Sequence, residues 1–267
     1  MKIKEIIVSS CMNKSKIKDY VINPYTGCEH GCKYCYAIFM KKYQNIKDKW
    51  GEFIYVKKNC PELLEKELKK NPPGHIWISS VTDPYSPVES KYKMTRKILE
   101  VISKSPHKNK FSFEILSKST LVERDFDLIK EIGIELGMSI NNLDKNISKL
   151  IEPGAPPPLD RIETLKKAKE YGIKVFGFIS PVLPGITNLD EIFRELKFCD
   201  FVYVEVLNTR SNGVKRLIPL LRKKFPSTLK KIEYAKNNSD KYYNQIKKEA
   251  ELLSKKYSIN LQAVIYH

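Results

Sequence analysis

From residue 75 to residue 207 the chain repeats one unit, a short apolar run followed by an amphipathic segment of helical length. HIWISSVT (75–82) reads as a buried strand, and YKMTRKILEVISK (92–104) follows it with apolar residues recurring about every 3.6 positions. FSFEILSK (111–118), IELGMSIN (134–141), IKVFGFISPV (173–182) and DFVYVEVL (200–207) read as further strands. Between them TLVERDFDLIKEIG (120–133) and PLDRIETLKKAKEYG (158–172) are helices closed by Gly133 and Gly172. NLDEIFRELKFC (188–199) is a third helix, entered through Asn188. Strands that are apolar almost throughout and joined through single helices belong to a parallel sheet covered on both faces. With VINPY (21–25) counted as the first, six strands precede residue 208. A closed eight-stranded barrel needs two more units, so the expected fold is α/β, an open, partial (β/α)6 TIM-like barrel.

Past that core the pattern turns helical and lysine-rich, through VKRLIPLLRKKF, STLKKIEYAK and SDKYYNQIKKEAELLSKKY, before INLQAVIY (259–266) offers a final strand. The expected organisation is a barrel core over 1–210 and a basic, mainly helical C-terminal extension over 211–267, packed on the barrel. A chain of 267 residues with 42% hydrophobic content fills a full core, and its 15 tyrosines and 11 phenylalanines argue against a long unfolded tail. No run approaches the roughly 18 to 20 apolar residues of a membrane span. The N-terminus carries lysines through its short apolar patch, unlike a signal peptide. The expectation is therefore a cytoplasmic protein without membrane contact, in which thiols stay reduced and clustered cysteines serve as metal ligands or catalysts rather than disulfides. A net charge of +17 favours polyanionic partners such as nucleic acid, although the joint abundance of lysine, isoleucine, asparagine and tyrosine equally fits compositional bias.

GCEHGCKYCYA (27–37) places Cys28, Cys32 and Cys35 within eight residues, spaced C-x3-C-x2-C. Three thiolates from one short loop suit three irons of a cubane and leave the fourth iron open to an outside ligand. A fourth cysteine would close the cluster to substrate. The competing reading is a structural zinc site with His30 as fourth ligand, but such sites usually draw on two separated pairs of ligands. Cys60, in NCPELLEK, precedes or caps a helix; Cys199, in FCDFVYV, reads as core; Cys11 lies outside any motif; none of the three is assigned a ligand role.

The cysteine loop with an aromatic before its third cysteine resembles the radical S-adenosylmethionine superfamily. NPYTGCEHGCKYCYA, VTDPYSPVESKYKMTRKILE, ILSKSTLVERDFDLI and EPGAPPPLDRIETLKKAKEYGIKVFGFISPVLPG resemble its spore photoproduct lyase-like branch, also called DNA repair photolyase-like. The resemblance spans residues 23 to 185. It implies a partial (β/α)6 barrel, a [4Fe-4S] cluster on Cys28, Cys32 and Cys35, and S-adenosyl-L-methionine. It also implies reductive cleavage of that cofactor to a 5′-deoxyadenosyl radical that takes hydrogen from a substrate. An electron-donor protein such as ferredoxin or flavodoxin follows from that chemistry.

Carried onto this chain, the resemblance places Tyr34 against the adenine, Lys118 and Ser139 on the methionyl carboxylate, and Tyr36 in a hydrogen-atom relay. Thr82 and Asp83, at the end of the second strand, would hydrogen-bond the cofactor's amino group and ribose. Four of them have a plainer alternative: Thr82 and Asp83 shape the turn before Pro84, Lys118 is solvated, and Tyr36 packs. EPGAPPP (152–158) bridges the fourth strand to its helix, and SPVLPG (180–185) is a rigid loop after the fifth. The sequence departs from the lyases at the distant cysteine that completes their relay, where Ser80 stands. Serine does not replace a thiol as hydrogen-atom donor, which argues against spore photoproduct repair itself. The expected substrate is a nucleic acid; alternatives are a small molecule or a protein, or a non-catalytic metal module recruiting partners through its basic tail.

Overall fold

In the computed structural model, which describes residues 1–266, the six expected strands lie at Tyr20–Ile22, Gly74–Ile78, Phe111–Ser117, Glu135–Ile140, Val175–Val182 and Phe201–Val206. Each pairs in parallel with the next in sequence order. Asn260–Ile265 adds a parallel strand beside the sixth, and Met12–Lys14 pairs antiparallel with the first at the opposite edge. Among the described residues no pairing joins these two edges, so the sheet is an open, partial barrel rather than a closed one. Val175–Val182 is buried at every position, as a central strand covered on both faces must be. Phe176 and Phe178 turn to one face with Trp77, Phe201 and Val21, while Val175, Ile179 and Val182 join the larger core beneath the helices.

The connecting helices are Met94–Lys104, Phe126–Ile132, Pro158–Glu170 and Leu189–Leu196. Asn188 enters the last as expected, its side-chain oxygen accepting the Glu191 N–H at 3.3 Å. The segment read as one helix from 120 begins instead as a tighter 3-10 turn, Thr120–Asp125, capped by Ser119. VINPY splits in two. Tyr20–Ile22 stays in the barrel, and Tyr25–Thr26 joins a separate three-stranded sheet with Phe53–Lys57 and Lys2–Ile6. Pro24 has no N–H to continue a ladder, and the Asn23 side chain turns away to accept the Ser80 and Val81 N–H groups.

Cys11 and Cys60 form a disulfide across 49 residues of sequence, which corrects the expectation that thiols here stay reduced. The two meet because the segment before Met12–Lys14 crosses the helix Cys60–Lys70, whose Glu67 carboxylate accepts the Cys11 and Met12 N–H groups.

Beyond the sixth strand run three helices, Asn212–Lys224, Pro226–Asn237 and Ser239–Tyr257. Tyr242, Ile246, Ala250 and Leu253 form the buried stripe of the last, which packs on the helix Leu189–Leu196. The first two do something else: Val214, Leu217, Leu221 and Ile232 build a separate apolar cluster with Cys32, Tyr34 and Leu183. Among the described residues no helix is long and apolar enough to cross a membrane.

Candidate metal and cofactor site

The cysteine loop leaves the strand Tyr25–Thr26 and ends in the 3-10 turn Tyr36–Phe39. Its shape is set from outside. The Thr82 hydroxyl donates to the Gly27 carbonyl, the Glu29 carboxylate accepts the Val88 N–H at 2.6 Å, and Gly154 N–H donates to the His30 carbonyl at 3.0 Å. Lys33 N–H reaches the Ile151 carbonyl at 2.8 Å. Gly154 is required for this approach, since a Cβ there would lie 2.3 Å from the Glu29 carbonyl oxygen. The EPG segment thus brackets the loop as well as bridging to the next helix.

Cys28, Cys32 and Cys35 all carry free thiols, the first two buried and the third half-buried. Burial pushes the Cys28 thiol up to about 12, with Asp83 and Cys35 adding to it. Burial likewise drives Cys32 well up, against the pull of the Lys118 charge. For Cys35 burial again outweighs the lowering effects of the Ala37 N–H, Lys118 and Arg216. Burial thus disfavours the thiolate form of all three cysteines, and a bound cation would favour it.

Among the described residues no three His, Cys, Asp or Glu side chains converge as the ligands of a single ion would. His30 is also committed: Nδ1 donates to the Gly154 carbonyl at 3.0 Å, and Nε2 stands 3.1 Å from Asp83 Oδ2 without hydrogen-bond alignment. The zinc alternative with His30 is not built. Soft thiol donors from a single loop, which a cubane engages at separate iron corners, fit an iron–sulfur cluster with one corner free of protein.

Asp83 is wholly engaged. Its carboxylate accepts from Ser117 Oγ at 2.8 Å, Lys118 N at 2.8 Å and Tyr85 N at 2.9 Å, besides the His30 contact. Burial alone would raise its pKa, but His30 and these N–H donors hold it at about 2. Asp83 and Thr82 therefore tie the second and third strand ends to the cysteine loop. The side chain of Lys118 reaches back, its Nζ 5.9 Å from the Tyr34 ring and its charge acting on Cys32 and Glu152. Desolvation works to lower the Lys118 pKa, yet Cys32 and Glu152 raise it overall, so the ammonium form is held. Ser139 Oγ donates to the Ser180 carbonyl at 3.3 Å, spanning the fourth and fifth strand ends. Tyr36, 43% exposed, donates its hydroxyl to the Ser80 carbonyl, while the Ser80 hydroxyl accepts from Asn23 Nδ2 at 3.3 Å. Tyr34, Lys118 and the cysteines are brought together; Tyr36 and Ser80 form a second pair at the rim.

The Tyr34 hydroxyl donates to Glu152, which is ion-paired with Arg161, both fully buried. Asn141 Nδ2 donates to the Tyr34 oxygen at 2.9 Å, and Arg161 also donates to the carbonyls of Ser139 at 3.0 Å and Pro156 at 2.8 Å. Glu152, Arg161 and Asn141 were not singled out in the sequence. The one signal was an arginine in a helix otherwise served by lysine, since a planar fork suits a buried carboxylate and two carbonyls as lysine does not. Gly213 and Arg216, from the extension, also touch the cysteine loop and carried no signal at all.

A family profile described as the radical SAM superfamily matches residues 22–199. An uncharacterised protein of Methanocaldococcus jannaschii is 40% identical over 245 residues, 89% of this chain and 90% of that one. The radical SAM Nα-GlyT isomerase of Pseudomonas phage M6 is 28% identical over 174 residues, 63% of this chain and 34% of the isomerase. A spore photoproduct lyase solved with AdoMet and a dinucleoside spore photoproduct superposes with a TM-score of 0.61 at 18% identity. That match covers 83% of this chain and 66% of the lyase, a likeness of fold.

Proposed function

The chain belongs to the radical SAM superfamily, whose enzymes use a [4Fe-4S] cluster, S-adenosyl-L-methionine and an electron donor for radical chemistry, and from that premise we propose that it abstracts hydrogen from a nucleic acid substrate. The observation that carries the radical chemistry is the set of three free thiols on one externally braced loop, with Lys118 held beside them. Cys28, Cys32 and Cys35 would hold the cluster. When bound, the cluster and S-adenosyl-L-methionine supply the one-electron cleavage that yields a hydrogen-abstracting adenosyl radical.

The chain's own residues bind and orient. Lys118 offers its charge to a carboxylate at the third strand end, and Ser139 presents its hydroxyl at the fourth. Tyr34 is fixed by Glu152 and Asn141 and offers its ring, not its hydroxyl, to an adenine. Tyr36 is the hydrogen-relay candidate, accessible at the rim, but its neighbour at the second strand end is the Ser80 backbone rather than a thiol. The reaction proposed is therefore not spore photoproduct repair.

The charge of +17 supports a nucleic acid substrate. Lys230, Lys231 and Tyr234 line one wall of a cleft of about 470 Å³ between the loop after the fifth strand and the last two helices, which Glu249 and apolar side chains complete. A ferredoxin- or flavodoxin-like donor would deliver the electron. The test is anaerobic reconstitution with iron and sulfide, followed by assay for 5′-deoxyadenosine under reductant. Cleavage should be present in the parent protein and lost with the cluster in Cys32→Ala; a Cys32→Ala protein that still cleaves would contradict the ligand assignment. Steeply salt-dependent binding to DNA or RNA supports the substrate class, and its absence points to a small metabolite.

A further inference from the structure

The helix Asn212–Lys224 belongs to the basic extension, outside the barrel, yet it lies directly on the cysteine loop. Gly213 makes the contact possible: a Cβ there would stand 2.1 Å from the Tyr34 carbonyl oxygen and 2.7 Å from that of Cys35. One helical turn on, Arg216 Nη1 donates to the Cys32 carbonyl at 3.3 Å. Val214 and Leu217, on the same side of the helix, are buried with Cys32 and Tyr34. The helix therefore meets the loop with a close backbone seat, a charged donor and an apolar wedge.

We propose that Arg216 is a positioning residue for the iron–sulfur cluster, clamping the loop at Cys32 and setting a fixed positive charge against the cluster from the extension side. This rests on the reading of Cys28, Cys32 and Cys35 as its ligands. A guanidinium never loses its proton in this range, so the charge is permanent. Adding an electron makes a cluster more negative, and a nearby cation favours the reduced form; cluster potentials follow local charge and hydrogen bonding. The extension thus becomes part of the redox site rather than only a basic surface.

The test uses the full chain, reconstituted anaerobically, with the midpoint potential read by redox titration of the reduced-cluster spectrum. Arg216→Gln should bind iron and sulfide at the parent's stoichiometry but titrate at a more negative potential. Arg216→Lys, which keeps the charge, should return most of the shift. A potential in Arg216→Gln equal to the parent's would overturn the proposal. Gly213→Ala leaves every charge in place and lifts the helix from its seat. It should release iron to a chelator several-fold faster than the parent, with the helical content unchanged, and equal release rates would overturn the seat. A parent that binds no cluster refutes the ligand reading instead, so the two failures are distinguishable.

Discussion

Replacing Glu152 with alanine removes the carboxylate that is ion-paired with a buried Arg161 and accepts from Tyr34, Asn141 and Ser148. Both members of the ion pair are fully buried, so no solvent takes over. Leaving the guanidinium uncompensated costs about 3 to 5 kcal/mol. The stranded Tyr34 hydroxyl adds about 1 kcal/mol or more, because the neighbouring Asn141 Nδ2 is itself a donor. Repulsion between Arg161 and Lys118, no longer screened by Glu152, acts in the same direction. The expected loss is about 4 kcal/mol or more, near 10 °C in melting temperature for a chain of this size. Urea unfolding of the metal-free protein measures it. The double variant Glu152→Met with Arg161→Met, which substitutes apolar bulk for the pair, should recover most of that stability. A Glu152→Ala protein within 1 kcal/mol of its parent in stability would refute the network's role.

Asp83 titrates at about 2 in the folded chain against an ordinary 3.8. A depressed carboxylate stabilises above its unfolded value and loses that contribution as pH falls, here about 2 kcal/mol between pH 3.8 and 2. Glu152, also depressed despite its burial, adds to the loss below pH 4.5. An Asp83→Asn variant should show a shallower decline in denaturation midpoint over that range. Replacing Cys11 and Cys60 together with alanine frees a loop spanning 49 residues and should cost about 2 to 4 kcal/mol, read in urea with and without reductant. Lys118→Met should weaken S-adenosyl-L-methionine binding about 10- to 100-fold in the cluster-loaded protein, by calorimetry, while iron content holds. Tyr36→Phe should leave cleavage of the cofactor intact and abolish turnover of substrate.

The barrel was legible because the strands are mostly apolar and the connecting helices amphipathic, signals that sit within single segments. Val175–Val182 and the Asn188 cap are cases in point. What escaped depends on meetings between distant segments. The strand Lys2–Ile6 is mostly exposed and exists through pairing with Phe53–Lys57, so its own pattern announces nothing. Cys11 and Cys60 look unrelated until the N-terminal segment crosses a helix. In the site, the three cysteines stood out through spacing, and Lys118 and Ser139 through position at strand ends. Asp83 was singled out for a cofactor, but the structure gives its oxygens to His30, Ser117, Lys118 and Tyr85. Glu152, Arg161, Gly213 and Arg216 act through contacts far away in sequence, beyond what local pattern encodes.

The proposed chemistry turns on one iron of the cluster that no side chain of this protein would ligate. The reduced, reconstituted protein should give the paramagnetic signal of a [4Fe-4S] cluster, and adding S-adenosyl-L-methionine should change that spectrum, since the cofactor would bind beside the three cysteines at the cluster. A signal indifferent to the cofactor, or a protein that holds zinc in place of iron and sulfide, would contradict it.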